Sequence, residues 1–121
     1  MISLMNQPKS NTVAFKITGT VTKDDYENVV FPEVKKIADK YDDINMALII
    51  DTELKNFTLG AWMFDAYLGL KHLTKWNRVA LIADSEFVEK STKVLDMAAP
   101  GEFKSFSPLE QPAALNWVEN G

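Results

Sequence analysis

Hydrophobic positions along the chain follow three patterns. Two segments are unbroken apolar runs, Met46-Ala47-Leu48-Ile49-Ile50 closed by Asp51 and Val79-Ala80-Leu81-Ile82-Ala83 closed by Asp84. A run without polar alternation predicts a strand covered on both faces, the kind found in parallel sheets. The segment 12–18 alternates instead, with Val13, Phe15 and Ile17 on one side and Thr12, Ala14, Lys16 and Thr18 on the other. That pattern predicts a strand with one buried and one partly wet face, nearer the sheet edge, broken by Gly19. Short segments at 2–5 and 103–106 predict edge strands, the first followed by a turn containing Pro8 and Asn11.

The third pattern has the helical period. Thr22 and Asp25 resemble a capping box, so a helix starts near Lys23 with acids in its first turn. Pro32 cannot donate to the Asn28 carbonyl and biases Phe31 away from helical angles, which predicts a kink or break there. A second segment then runs to about residue 41, with Ile37, Ala38 and Tyr41 packed. Between the two apolar runs, Thr58 can cap a helix over 59–74. Leu59, Met63, Ala66, Leu70 and Leu73 share its sheet-facing side, flanked by Trp62. Strand, helix and buried strand in that order predict a right-handed parallel crossover. Asp84 or Ser85 caps a third helix to about residue 98, with Phe87, Ser91, Val94, Leu95 and Ala98 inward, ended by Pro100 and Gly101. Ser107-Pro108-Leu109-Glu110 combines an N-cap serine, a proline at the first helical position and a glutamate at the third, and opens a last helix carrying Leu115, Trp117 and Val118. Five strands and four helices make an α/β fold.

With 121 residues, 46% of them hydrophobic and 25% charged, the composition is that of one soluble domain with a real core over 1–121. A formal charge of -4 gives no electrostatic footprint for phosphate backbones, so nucleic acid is not an expected partner. The absence of cysteine removes disulfides, thiolate metal sites and thiol nucleophiles, and fits a cytoplasmic protein. A single histidine removes His-rich metal sites, and no metal or cofactor is expected. The apolar segment before Asn6 is too short for a signal peptide, and no run approaches the ~18 apolar residues of a membrane span.

If the 46–51 strand is central, the segment from Asp51 to Gly60 faces the crevice where open α/β sheets bind ligands. Asp51 and Asp84 both end predicted neighbouring strands, where two acids can hold Mg²⁺ or act as base and acid. The capping rules favour plainer roles, Asp84 as a helix cap and Asp51 at the start of a turn. His72, near a helix carboxyl end beside Lys71 and Lys75, fits a dipole role better than that of a general base, since no Ser or acid stands at helical spacing from it. No catalytic triad, P-loop or dinucleotide-binding glycine pattern is present. Trp62, Phe64, Tyr67 and Trp76 line either a pocket for a flat or lipid-like ligand or the core. Phe64 and Leu68 lie roughly 140° to 180° from the packed stripe, so their helix has two apolar faces.

The layout resembles the SpoIIAA-like proteins of the STAS superfamily, small bacterial domains also likened to the lipid-binding Sec14 fold. The resemblance rests on Gly19-Thr20-Val21-Thr22-Lys23-Asp24-Asp25-Tyr26, Pro32, the strand 47–51, Phe57-Thr58-Leu59-Gly60-Ala61-Trp62, Lys71-His72, the strand 78–84, and Ala114-Leu115-Asn116-Trp117-Val118. It implies a mixed, mainly parallel sheet of about five strands with helices packed on it. In the anti-sigma-factor antagonists of this superfamily an Asp-Ser-Ser-Gly loop precedes the corresponding helix, and phosphorylation of its Ser or Thr controls binding to a kinase. Here the aspartate and the serine pair are missing, Thr58 is the only hydroxyl nearby, and the switch is not carried over.

Two functions are expected, from different classes. One is a non-enzymatic interaction or regulatory module that docks to a protein partner or to itself through residues 58–68. The other is a carrier or sensor of a small apolar or lipid-like molecule held near Phe57, Trp62 and Tyr67. The candidate ligand- or partner-binding residues are Asp51, Phe57, Thr58, Trp62, Phe64, Tyr67, Leu68 and Asp84. Phe64 and Leu68, one helical turn apart, form a single patch suited to a symmetric homodimer, unless a neighbouring helix of the same chain covers them or they turn into the core.

Overall fold

Residues 1–5, 11–53, 56, 76–87, 89 and 102–121 are described by the computed structural model. Five strands form one sheet in the order β1-β2-β3-β4-β5: β1 Ile2–Leu4, β2 Thr12–Thr18, β3 Ile44–Asp51, β4 Trp76–Ile82 and β5 Glu102–Phe106. β1 runs antiparallel to β2, and all other neighbours are parallel. The two apolar runs are adjacent parallel strands, as expected, with Ala47 opposite Ala80 and Ile49 opposite Ile82. The helical connection expected between them, over 59–74, lies outside the described residues.

The first helical stretch begins as expected. Asp25 Oδ2 accepts from the Thr22 N–H at 2.8 Å, and the Asp25 N–H reaches back to Thr22 Oγ1 at 3.4 Å. Pro32 does not break it. A short α1, Lys23–Asp25, passes through a π-helical turn, Tyr26–Val30, directly into α2, Phe31–Lys40. The wide turn lets the Phe31 N–H bond to the Tyr26 carbonyl, and it ends just before the proline, which then enters α2 in its first turn, where a missing N–H costs little. Burial pushes the Tyr26 hydroxyl far above the ordinary tyrosine range, and the adjacent Asp25 charge adds to the effect. Ile37 and Ala38 are buried as expected. Tyr41 is not on the packed face: it leaves the helix in an extended conformation and is exposed, while its N–H closes the last turn on the Ile37 carbonyl.

Asp84 caps the helix after β4, its Oδ1 accepting from the Phe87 N–H at 2.8 Å; the rest of that helix falls mostly outside the described residues. At the other end of the chain, Ser107 and Glu110 form the expected box. The serine N–H donates to Glu110 Oε1 at 2.9 Å around a 3-10 turn, Pro108–Glu110, that leads into α3, Gln111–Glu119. Among the described residues α1, α2 and α3 are the complete α-helices, against the four expected; of the helix that Asp84 caps, only residues 85–87 and 89 are described.

The sheet buries both faces, and differently. On one, Phe15, Ile17, Met46, Ile50, Val79 and Leu81 pack with Val30, Val34 and Ile37 of the helical stretch before β3. Trp76 belongs to this core as the first residue of β4, which settles its role in favour of packing. On the other face, register aligns Ala14, Ala47 and Ala80 in one row across three strands. Ala114 and Val118 of α3 are fully buried in the same cluster. Small residues on the sheet let the helix backbone approach. Trp117 clamps it from the side: its carbonyl accepts from Arg78 Nη1 at 2.7 Å, the guanidinium sits 4.8 Å from the ring centroid, and Phe106 tilts against the ring at 5.9 Å. Asn45, fully buried in β3, marks an irregularity of register. Ile44 opposes Trp76 and Asn45 opposes Arg78, so Asn77 is the extra residue, and Asn45 Oδ1 accepts from the Arg78 N–H at 3.1 Å.

Candidate docking site at the carboxyl edge of the sheet

Rows of residues on the α3 face change character toward the carboxyl ends of the strands. One step beyond the alanine row, Lys16, Ile49, Ile82 and Phe106 stand in register across four strands, and Thr18 and Asp51 pair one step further. Isoleucines stand taller than alanines, and α3 begins at this level. At this level a hollow of about 220 Å³ is lined by Lys16, Asp51, Pro108 and Gln111 around Ile49 and Ile82, both of which are buried in the core beneath α3.

Its rim is charged but loosely paired. Lys16 Nζ and Asp51 Oδ2 are 4.0 Å apart, and the two side chains are 49% and 71% exposed. An ion pair of that length and exposure contributes well under ~1 kcal/mol, so the lysine retains donors for another acceptor. Behind the rim, two loops are stitched together. Gly19 turns the chain after β2 at φ 58°, a conformation that suits glycine. Its carbonyl accepts from Thr52 Oγ1 at 2.8 Å, Asn56 Nδ2 donates to the same hydroxyl at 2.9 Å, and the Val21 N–H donates to the Asn56 carbonyl at 2.9 Å.

Of the residues singled out from the sequence, the structure places Asp51 at the hollow and Asp84 away from its lining. Asp51 ends β3 and Asp84 follows β4 by two residues, so both lie at the carboxyl ends of adjacent parallel strands as expected, but the Asp84 carboxylate is engaged in its helix cap and Asp51 faces Lys16. This is the plainer of the two readings for Asp84. Asp51 is the last residue of β3 rather than the first of a turn. Among the described residues no group of three His, Cys, Asp or Glu side chains gathers where a metal could be held. Phe57, Thr58, Trp62, Phe64, Tyr67, Leu68 and His72 lie outside the described residues. Lys16, Ile82, Pro108 and Gln111 were not singled out from the sequence. Lys16 is on the wet side of an ordinary alternation, and only the strand register reveals that it shares a row with Ile49 and Ile82. Among the described residues no helix is long and apolar enough to cross a membrane.

Comparison with known proteins agrees with this architecture. An uncharacterized protein of the DUF3478 family with a SpoIIAA-like fold, from Shewanella loihica PV-4, has a similar solved structure, with a TM-score of 0.67 and 30% sequence identity. The similarity covers 97% of this chain and 93% of that one. No curated protein matches. The SpoIIAA-like family model matches residues 12–119, from the first residue of β2 to the last of α3. The chain belongs to the SpoIIAA-like family, with its STAS-like α/β fold.

Proposed function

We propose that the chain is a non-enzymatic regulatory module of a bacterial cytoplasm that docks a protein partner, or a second copy of itself, at the carboxyl edge of its sheet. The observation that carries this reading is the hollow between α3 and the sheet. Its rim holds one exposed cation and one exposed anion in loose contact over buried isoleucines, and the loops behind it are tied by hydrogen bonds. A polar rim whose charges are only loosely paired suits the edge of a protein interface. Phe64 and Leu68, assigned by helical period to a second apolar face, lie outside the described residues and remain candidates for the same docking role.

The alternative, a carrier of a small apolar or lipid-like molecule, has less behind it. At about 220 Å³ the hollow is below the roughly 300 to 1,000 Å³ usual for small-molecule sites, and suits one inserted side chain better than a whole lipid. Native mass spectrometry of the purified protein separates the two. The docking reading expects dimers, or complexes of added candidate proteins, with no retained small molecule. A monomer carrying a stoichiometric low-mass adduct would overturn it in favour of the carrier.

A further inference from the structure

The helix α3 is closed on itself at both ends. At its start the Glu110 N–H donates to the Ser107 carbonyl at 2.9 Å and the Ser107 N–H to Glu110 Oε1 at 2.9 Å; at its end Asn120 donates to the Asn116 carbonyl from its N–H at 3.2 Å and from Nδ2 at 2.7 Å. None of these bonds uses the sheet. The entry turn 107–110 is exposed throughout, Leu109 to 95%, and the hollow lies beside the first turn of the helix. Seating therefore falls to the second half of α3. Ala114 and Val118 are buried over the alanine row, and Arg78 holds Trp117 by its carbonyl, at 2.7 Å, and by its ring, at 4.8 Å. The helical stretch on the opposite face buries Val30, Val34, Ile37 and Ala38. Burial stabilises in proportion to the apolar area removed from water, so one alanine and one valine hold a helix less firmly than three branched side chains and an alanine.

We propose that α3 is a hinged lid, which lifts from the sheet while the rest of the domain stays folded and bares a strip of Ala47, Ala80, Ile49 and Ile82 that is closed in the structure. The pivot is Ser107. The Ala83 N–H donates to the Phe106 carbonyl at 3.1 Å, the last bond that ties β5 to its neighbour, and the next bond along the chain, from Ser107 to Glu110, already belongs to the helix. Arg78 is the latch, because its guanidinium joins β4 to Trp117 by a charge-assisted hydrogen bond and a cation–π contact together. Lifting the helix gives up that latch and the burial of two small side chains, and leaves the core around Phe15, Met46 and Leu81 intact. Closed, the face presents the charged rim of the hollow, with Ile49 and Ile82 only 6% and 1% exposed; open, it presents an apolar strip across two strands. The lid does not depend on what binds at the rim.

The chain has no cysteine, so single introduced thiols report exposure against an empty background. Ala80→Cys and Val79→Cys probe neighbouring positions of β4 on opposite faces, the first beneath α3 and the second in the core that α2 covers. Labelling of the folded protein by a thiol reagent is expected to be roughly tenfold or more faster for Ala80→Cys, and to depend less on added denaturant, since lifting a helix exposes less surface than unfolding the domain. Adding Arg78→Met, which keeps the stem of the side chain and removes the guanidinium, is expected to speed labelling of Ala80→Cys roughly tenfold to a hundredfold. Hydrogen exchange of wild type supplies the check without a thiol. Once off the sheet a nine-residue helix frays, so the amides of residues 115–119 are expected to exchange through a smaller opening than those of residues 47–50. Equal labelling of the two thiols with equal denaturant dependence overturns the lid, because α3 then leaves only when the whole domain unfolds. So does fast labelling of Ala80→Cys alongside wild-type α3 amides as protected as those of β3, because the substitution itself would then have lifted the helix. An Arg78→Met variant that labels no faster overturns the latch.

Discussion

The two faces of the sheet are built from opposite materials. The face under α2 is filled by Phe15, Ile17, Met46 and Leu81, all essentially without exposure, and large side chains from helix and sheet interdigitate there. The face under α3 is floored by Ala14, Ala47 and Ala80, and packs by close approach of backbones. Bulk makes the first face a stability element from end to end. Smallness makes the second conditional: the close fit holds only while the row beneath the helix is alanine. Where it changes to Lys16, Ile49 and Ile82, at the level where α3 begins, a hollow opens beside the helix start. The candidate site is thus a by-product of how the second face is packed.

The comparison can be broken by exchanging the two materials. Phe15→Ala should cost about 3 to 5 kcal/mol, read from denaturant melts, because a large buried side chain leaves a cavity its neighbours fill only in part. Ala47→Leu, which adds bulk where Ala114 and Val118 come close, should cost about 1 to 3 kcal/mol and displace α3, with a change in Trp117 fluorescence as the helix moves. If Ala47→Leu is neutral and Trp117 is undisturbed, the alanine row is not what seats the helix, and the contrast between the faces fails.

Much of this was legible in the sequence because it is local. Unbroken apolar runs identify β3 and β4, and the capping residues at Thr22, Asp84 and Ser107 mark the start of three helical segments, since each depends on residues three positions apart. The π-helical turn before Pro32 was not legible, because widening a helix is a compromise between neighbouring turns that no single residue specifies. Nor was the hollow, because it depends on which residues of four strands share a row. Asn45 shows the difference most sharply. The unbroken apolar run begins at Met46, yet β3 starts at Ile44 and Asn45 is fully buried, supplying the acceptor for the Arg78 N–H where the register is irregular.

That role gives the next and smaller effect. Asn45→Leu removes the acceptor of the Arg78 N–H and should cost about 1 kcal/mol, at the low end for a lost buried bond, because it also removes Nδ2, a buried donor with no partner among the described residues. Hydrogen exchange should show the loss locally, as faster exchange of the Arg78 amide. An unchanged Arg78 amide would mean that the strand irregularity is held by something other than this side chain.

The smallest effect tests how α3 is held at its start, and it appears as a slope in pH. Glu110 accepts the Ser107 N–H, and that bond, with a further one from the serine side chain and the nearby Lys104 charge, keeps the carboxyl below its ordinary value of 4.5. A folded-state pKa lower than the unfolded one means that the unfolded chain binds the proton more readily. The contribution of Glu110 is therefore complete above about 4.5 and is lost as pH falls through the lower folded value. Glu110→Gln keeps an oxygen able to accept the Ser107 N–H but cannot titrate. Melting temperatures of wild type and this variant, followed from neutral pH into that acid window, should differ most at neutral pH and converge as the pH drops. Parallel curves for Glu110→Gln would show that the charge does nothing for the start of α3, and that the serine and proline alone hold Leu109 outward.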